Sequence, residues 1–463
     1  MKRWLPVVII PLLILMSPVP GDLKPLAWKL FAVYVGAILG LVLRPASEAM
    51  VLLFVIAFGS FFVPLGQLLS GYASTNTWLV FTAFLISQSF SDTGLGKRIA
   101  YMLTKRFGKS SLGLAYGMAF TDLIISPATP SSTARACGIV YPIYTSVCQT
   151  LGSVPGETAR KLGSYITLSL YQINLTTSAM FVTASAPNIL LCTLAKDILK
   201  VQISWLDWAI AAFVPGMVML LLCPIVVYKL YPPTMEKLEN AEEFAQKGLD
   251  EIGPITTKEK YLVVLFILAI LAWATGTVTK VDATTVALIF FVASVLLKLI
   301  SFDNVLANKS AWSTLLWYGG IIGISGALAN AGFFVWLAGV MKANMNLTGF
   351  NPVLVLGILS LIGLAIRYLF ASYSAYVAAF VPVIYTLGVT AEVPAGALAY
   401  FTTMTVVYGC MLTHYGAGVA PGLFGPGYVE QKDWWRVGAI MAILATVVYL
   451  AVGLPYWKIL GLW

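Results

Sequence analysis

Charged residues are scarce in this chain. They make up 10% of its 463 residues, while 59% are hydrophobic, and soluble domains usually carry about 25% charged residues. The composition therefore excludes an ordinary soluble domain. It indicates a protein that crosses a membrane many times.

Histidine and cysteine are also rare, with one histidine and five cysteines in the whole sequence. No two cysteines have the CxxC spacing, which argues against a disulfide framework and against a cysteine-rich metal site. The sequence contains neither a HExxH nor a GxSxG pattern, so nothing favours an intramembrane enzyme. We expect no metal and no cofactor.

Apolar runs long enough to span a bilayer recur along the chain. They begin near Trp4, Ala27, Met50, Thr77, Leu112, Ser164, Trp205, Tyr261, Thr284, Ala311, Val353, Ala395 and Trp435. The pattern predicts an all-α polytopic membrane protein with about eleven transmembrane helices and two re-entrant hairpins. Residues 1–26 lack the usual small-x-small cleavage pattern, so we interpret them as an uncleaved first transmembrane segment.

The basic residues give the chain a net charge of +9. They are scattered in short loops between apolar runs, a distribution that sets membrane topology rather than binding nucleic acid. We therefore expect no nucleic-acid partner. The densest basic cluster is predicted to face the cytoplasm, and it comprises Lys97, Arg98, Lys105, Arg106 and Lys109.

One polar interval divides the chain near its middle. Residues 231–260 carry charges of both signs, and their opening part has the pattern of an amphipathic helix on the membrane surface. A solvated cytoplasmic loop is the alternative. The interval separates a first repeat, residues 27–230, from a second repeat, residues 261–463.

Each predicted repeat contains a hydroxyl-rich segment where unbroken hydrocarbon is expected. Residues 126–135 read SPATPSSTAR, and residues 370–375 read FASYSA. We call residues 131–133 the first tip and residues 372–374 the second tip. A broken backbone is tolerated at membrane depth only where it is buried in protein or lines a wet cavity. The two tips therefore predict a solute-binding centre.

A second polar segment follows each tip. Residues 183–188 read TASAPN and form the first break, and residues 413–418 read THYGAG and form the second break. Matching interruptions in two halves are typical of secondary transporters that bind their solute near the bilayer midplane between inverted repeats. We predict that inverted arrangement.

The predicted site favours an anion. Freed N–H groups at helix starts and serine or threonine hydroxyls suit a carboxylate or another oxyanion, while helix-end carbonyls suit a small cation such as sodium. Arg135 can donate two hydrogen bonds to a carboxylate, or it can pair with Asp122 or reach the interface. His414 can carry part-time positive charge, or it can be structural.

Three motifs together resemble the divalent anion:sodium symporter (DASS) family. They are SPATPSSTAR at residues 126–135, RYLFAS at residues 367–372, and THYG at residues 413–416 running on to FGPGY at residues 424–428. The resemblance covers nearly the whole chain. It is strongest to the exchanger branch, which includes bacterial citrate/succinate and tartrate/succinate antiporters and plastid 2-oxoglutarate/malate translocators.

The resemblance implies scaffold and transport domains, an elevator motion, a homodimer in a bacterial inner membrane, and di- or tricarboxylate cargo such as succinate, malate, tartrate, citrate or 2-oxoglutarate. The resemblance maps the family's substrate-binding motifs onto the two tips, and the sequence itself adds Arg135 and residues of the breaks, so that the candidate substrate-binding residues are Ser131, Ser132, Thr133, Arg135, Pro187, Asn188, Ser372, Tyr373, Ser374 and His414. Candidate cation-site remnants are Thr183, Ser185, Ala186, Thr413, Gly416 and Gly418.

The chain departs from the family pattern at both tips. Family members carry Ser-Asn-Thr motifs, but Ser132 and Tyr373 stand where the asparagines are expected. Arg135 and His414 meanwhile add fixed or switchable positive charge, which can replace a mobile sodium ion. These differences favour obligatory exchange over sodium symport. Sodium-coupled uptake and transport of sulfate or another inorganic dianion are the alternatives, and closed tips argue against a channel.

Overall fold

The computed structural model describes residues 2–344 and 349–463. Within these residues the regular structure is helical, apart from one isolated bridge between Ser110 and Lys237. The helices up to the polar interval are α1 Trp4–Met16, α2 Pro25–Leu43, α3 Glu48–Gly59, α4 Leu65–Leu69, α5 Thr75–Thr93, α6 Leu95–Phe107, α7 Ser111–Ile125, α8 Ser132–Arg135, α9 Tyr141–Thr150, α10 Gly163–Met180, α11 Ala186–Leu194 and α12 Trp205–Leu230.

The remaining helices follow in the same order. They are α13 Ala241–Ile252, α14 Thr257–Ala274, α15 Gly276–Thr279, α16 Ala283–Leu296, α17 Phe302–Ala307, α18 Lys309–Asn330, α19 Phe333–Asn344, α20 Pro352–Arg367, α21 Tyr373–Thr390, α22 Ala395–Thr405, α23 Ala420–Phe424, α24 Gln431–Val448 and α25 Leu454–Ile459. Short 3-10 segments include Ser126–Ala128, Val182–Ala184 and Val406–Leu412, and π-helical turns include Ala136–Val140.

Five helical stretches in the described residues are long and apolar enough to cross a membrane. They are Pro25–Leu43, Trp205–Leu230, Tyr373–Thr390, Ala395–Leu412 and Gln431–Ile459. A sixth candidate consists of α18 and α19, which meet at a bend of 58°. Many other apolar runs are interrupted by proline, glycine or hydroxyl residues, so their helices are short. The number of about eleven spans stays a prediction.

Both halves contain the same order of broken elements. In the first half α7 leads through the first tip into α8 and α9, and the first break then separates α10 from α11. In the second half α20 leads through the second tip into α21, and the second break separates the 3-10 segment after α22 from α23. This correspondence fits the predicted repeats. Their inverted orientation stays a prediction.

Two groups of helices can be distinguished by their contacts. In the first, α18 packs on α2, α3 and α5, and α5 packs on α16; in the second, α7 and α24 pack on α10 and α12. In the first group, the 3-10 turn that contains Gly71 presses against the backbone of Gly319 and Gly323 in α18, where no Cβ atom fits. Such close contacts of small residues are typical of helix packing in membranes.

The polar interval contains helix α13, which packs on α6. Gly248 of α13 lies against the Tyr101 ring. At the end of the interval the Arg98 guanidinium is paired with Glu259 at 2.7 Å and also donates to the carbonyl of Gly253 at 2.8 Å. The opening residues 231–240, which carry the amphipathic pattern, are not helical, and the helix of the interval begins at Ala241 and packs on the first half of the chain.

Candidate functional site

Each tip is a helix start capped by a serine. The Ser131 hydroxyl accepts a hydrogen bond from the Ala134 amide at 3.1 Å, and the Ser372 hydroxyl accepts one from the Ala375 amide at 3.2 Å. A serine at this position stabilises a helix start, because it satisfies an amide that has no partner within the helix. The two tips therefore share one local geometry.

The tips and breaks are joined by backbone contacts. The Ala186 amide donates to the carbonyl of Pro130 at 3.2 Å, and the Thr183 hydroxyl donates to the carbonyl of Pro127 at 2.6 Å. Between the halves, a Cβ atom added at Gly418 would lie 3.2 Å from the Thr133 hydroxyl. The first tip thus touches both its own break and the break of the other half.

Both tips line one cavity, which encloses about 210 Å³. Predicted site residues supply much of its wall: Ser131, Ser132, Ser185, Ala186, Pro187, Ser372, Tyr373, Ser374 and Gly418. These residues are up to 287 positions apart between Ser131 and Gly418 in the sequence, and the fold brings them together. The cavity presents hydroxyl groups from both halves of the chain.

The opposite wall was not predicted from the sequence. Its residues come from the turn after α2, from the start of α3, from α5 and from α18: Arg44, Glu48, Phe84, Thr314 and Trp317. Glu48 accepts a hydrogen bond from the Ser372 hydroxyl at 2.9 Å and is paired with Arg44 at 3.3 Å. The available signal was a charged pair at i and i+4 between two apolar runs, a pattern that resembles an ordinary topology-setting loop.

Seven predicted residues do not line this cavity: Thr133, Arg135, Thr183, Asn188, Thr413, His414 and Gly416. Some of them hold the breaks in shape. The Asn188 amide donates to the carbonyls of Ser178 at 2.7 Å and Phe181 at 3.0 Å. The Thr413 carbonyl accepts from the Tyr171 hydroxyl at 3.2 Å.

Of the roles left open for Arg135, the structure shows the pair with Asp122 and not a guanidinium that faces the cavity. The side chain is fully buried and paired with Asp122, also fully buried, at 3.1 Å. It donates further to the carbonyls of Thr129 at 2.8 Å and Ala184 at 3.1 Å, and to the Ser178 hydroxyl at 2.8 Å. A buried guanidinium needs such partners, so Arg135 connects the first tip to the first break from behind.

Arg367 has the corresponding place in the second half. This buried guanidinium donates to the carbonyls of Phe370 at 2.9 Å and Ser372 at 3.3 Å, and also to the carbonyl of Gly416. Among the described residues, no carboxylate lies within ion-pair distance of it. Arg367 thus places a positive charge without an acidic partner directly behind the second tip.

The structure also corrects the expected placement of His414 in the cavity. Its Nδ1 atom accepts a hydrogen bond from the Trp435 indole at 3.0 Å. Its ring lies 4.6 Å from the Phe424 ring centroid and 5.2 Å from that of Tyr415. Aromatic packing at the break therefore holds the imidazole away from the cavity surface.

The whole chain, residues 1–463, matches the model of the sodium:sulfate symporter transmembrane region. The chain belongs to this family, the divalent anion:sodium symporters. This DASS protein is 44% identical to the inner membrane protein YbhI of Escherichia coli K12, with 98% of this chain and 96% of the relative covered. The resemblance inferred from the three motifs is thereby confirmed.

A second relative carries a more specific name. The DASS chain is 32% identical to the L-tartrate/succinate antiporter of Escherichia coli O157:H7, with 98% of this chain and 97% of the relative covered. The solved structure of Neisseria gonorrhoeae MtrF, described as belonging to a class of antimetabolite efflux pumps, shares the fold at 11% identity. Its TM-score is 0.60, covering 97% of this chain and 94% of that one.

These comparisons show that the DASS chain is a multi-pass membrane transporter and not an enzyme. The two serine-capped tips in one cavity provide the hydroxyl donors that a small oxyanion needs. The tips, the breaks and the opposite wall together define the candidate site.

Proposed function

We propose that the protein exchanges di- or tricarboxylate anions across a bacterial inner membrane by alternating access of the elevator type. The cargo class is succinate, malate, tartrate, citrate or 2-oxoglutarate. The observation that carries the proposal is the meeting of Ser131 and Ser372, two serine-capped tips, in one cavity. The relative named as an L-tartrate/succinate antiporter supports this cargo class.

Contacts with the cargo are proposed for the predicted residues that line the cavity. Serine hydroxyls at the two tips donate to carboxylate oxygens, and α21 points its N-terminus at the same space, where its dipole favours negative charge. Tyr373 and Pro187 shape the wall. Arg135, Asn188, Thr133 and His414 act indirectly, by holding the tips and breaks in place.

Exchange without sodium is supported by what the break carbonyls already bind. The Ala184 carbonyl accepts from Arg135, and the Gly416 carbonyl accepts from Arg367. Carbonyls at such breaks are ligands for sodium in transporters of this type. In each half an arginine guanidinium already binds one of these carbonyls. We therefore propose antiport in which fixed positive charges take the place of a sodium ion.

Counterflow in proteoliposomes tests the proposal. Vesicles loaded with unlabelled succinate should accumulate labelled succinate rapidly, whereas vesicles without an internal carboxylate should accumulate little. Uptake that needs no internal anion contradicts antiport. Arg436→Ala, at an exposed ion pair with Asp433, is a matched control that should behave like the unaltered protein.

Sodium-coupled symport is the second candidate, because the matching family model is named for sodium:sulfate symporters. A sodium gradient that drives succinate uptake into anion-free vesicles would establish it. A competition panel of unlabelled carboxylates and sulfate, with and without sodium, separates the two candidates and ranks the cargoes. We further propose a homodimer with separate scaffold and transport domains, which size analysis in detergent can test.

A further inference from the structure

One carboxylate is already docked on the second tip. The Ser372 hydroxyl accepts from the Ala375 amide and donates to Glu48 Oε1 at 2.9 Å. The Ser131 hydroxyl at the first tip likewise accepts a hydrogen bond from the Ala134 amide. Within residues 2–344 and 349–463 it donates to no acceptor. The second tip therefore shows how a carboxylate is held by this local geometry.

The docked carboxylate belongs to the opposite wall. Glu48 is the first residue of α3, and Arg44, four positions earlier, holds the same Oε1 atom at 3.3 Å. Of the cavity-lining residues that the structure describes, Arg44 is the one basic side chain and Glu48 the one acidic side chain. Arg44 also has a left-handed backbone, with φ of 46°, which is uncommon for a residue other than glycine.

A dianionic cargo and the Glu48 carboxylate compete for the same donors. Both are carboxylates, both fit the Ser372 hydroxyl and the Arg44 guanidinium, and two like charges held close together repel each other. Binding of the cargo carboxylate at the second tip therefore disfavours binding of the Glu48 carboxylate there, and the reverse.

We propose that Glu48 is an internal stand-in for a cargo carboxylate, bound to Ser372 and Arg44 when no cargo is present and displaced when the anion binds. After displacement Arg44 pairs with the cargo and supplies positive charge from the opposite wall. The proposal rests on the proposed function, since it assigns residues to the same anion site.

The stand-in also gives a physical reason for exchange. While Glu48 holds Ser372, the second tip is tied to the opposite wall, and the tip has to leave that wall for access to alternate. Bound cargo forms a new hydrogen bond with Ser372 in place of the one with Glu48. A carrier without cargo has to break this charge-assisted hydrogen bond without forming another. Return without cargo is therefore slow.

Glu48→Gln tests the proposal in proteoliposomes of the full chain. Glutamine keeps the size and the acceptor oxygen but removes the charge, so Ser372 and Arg44 release it more readily. The KM for succinate should fall about threefold, and net succinate efflux into anion-free buffer, relative to exchange, should rise about tenfold, which corresponds to about 1.4 kcal/mol. Glu392→Gln, at an exposed ion pair with Lys342, is the matched control and should leave both values unchanged.

Arg44 provides the second arm of the test. Arg44→Ala should raise the KM for succinate about tenfold, and Arg44→Lys should recover part of the loss because it keeps the charge without the planar fork. The stand-in role of Glu48 is overturned if Glu48→Gln leaves both the KM and the efflux-to-exchange ratio unchanged. It is also overturned if Arg44→Ala leaves the KM unchanged. Absence of dicarboxylate exchange in the unaltered protein refutes the proposed function instead.

Discussion

At the residue scale, the two buried arginines behind the tips differ in whether a carboxylate compensates their charge. Arg135 and Arg367 are both buried behind a tip, yet only Arg135 has a carboxylate partner, Asp122, within the described residues. The balanced pair keeps its own half together, while the unbalanced guanidinium leaves net positive charge near the second tip. The two halves thus differ in the charge that lies behind their tips.

Arg135→Ala is expected to lower the stability of the protein strongly. Removing one partner of a buried pair leaves the other charge, here Asp122, without compensation, at a cost of about 3–5 kcal/mol. The measurement is thermal unfolding of the purified protein in detergent. Lys342→Ala removes one partner of an exposed pair with Glu392 and should cost about 1 kcal/mol or less; equal losses in the two variants would contradict a structural role for the Arg135 pair.

At the scale of elements, the two tips share one capping geometry. Each serine caps a helix start and lines the cavity, so the proposed recognition of cargo and the local structure depend on the same short segment. The breaks support the tips through carbonyls and amides, as the Ala186 amide does for the Pro130 carbonyl at 3.2 Å. Rigid placement of donors reduces the ordering cost of binding an anion.

Ser131→Ala tests the dual role of a tip. Loss of the cap should cost about 1 kcal/mol of stability, and loss of the hydroxyl donor should raise the KM for succinate about tenfold, since a hydrogen bond to a charged group is worth about 1.5–3 kcal/mol. Exchange kinetics and thermal unfolding measure the two effects separately. Ser146→Ala removes an exposed hydroxyl of α9 that binds its own helix at 2.7 Å, and its KM should stay unchanged; an unchanged KM in Ser131→Ala would remove that hydroxyl from the site.

At the scale of the whole molecule, the cavity has two walls that come from different parts of the chain. The tips and breaks form one wall of the cavity, and α3, α5 and α18 contribute to the other. In the proposed alternating access, one wall moves relative to the other and exposes the solute first to one side of the membrane and then to the other. The Glu48 to Ser372 bond joins the walls across this boundary.

Ser374→Cys is expected to report this movement. Ser374 lines the cavity, so a thiol at this position should react with a membrane-impermeant reagent from the side to which the cavity opens, and saturating succinate should protect it. The measurement is labelling of oriented vesicles, with the unaltered protein as the baseline for its five native cysteines. Labelling that succinate does not slow would place the cargo elsewhere.

The sequence by itself determined the class of protein, the positions of both tips and breaks, and the family. Proline and hydroxyl residues inside apolar runs are local signals, because a broken backbone in a membrane has to be buried in protein or line a cavity. For the same reason Ser131 and Ser372 were identified without any knowledge of their neighbours. The family match over residues 1–463 confirms the family, while the role of the two serines stays a prediction.

Tertiary structure alone decided which charges meet. The sequence left Arg135 either at the cargo, paired with Asp122 or at the interface, and the packing of α7 against α10 selects Asp122 together with the hydroxyl and carbonyl partners that enclose the guanidinium. Arg44 and Glu48 resembled ordinary loop charges, yet the fold sets them opposite Ser372. Electrostatic partners are chosen by distance in space, and residues 324 positions apart, such as Glu48 and Ser372, become neighbours only after the chain has folded.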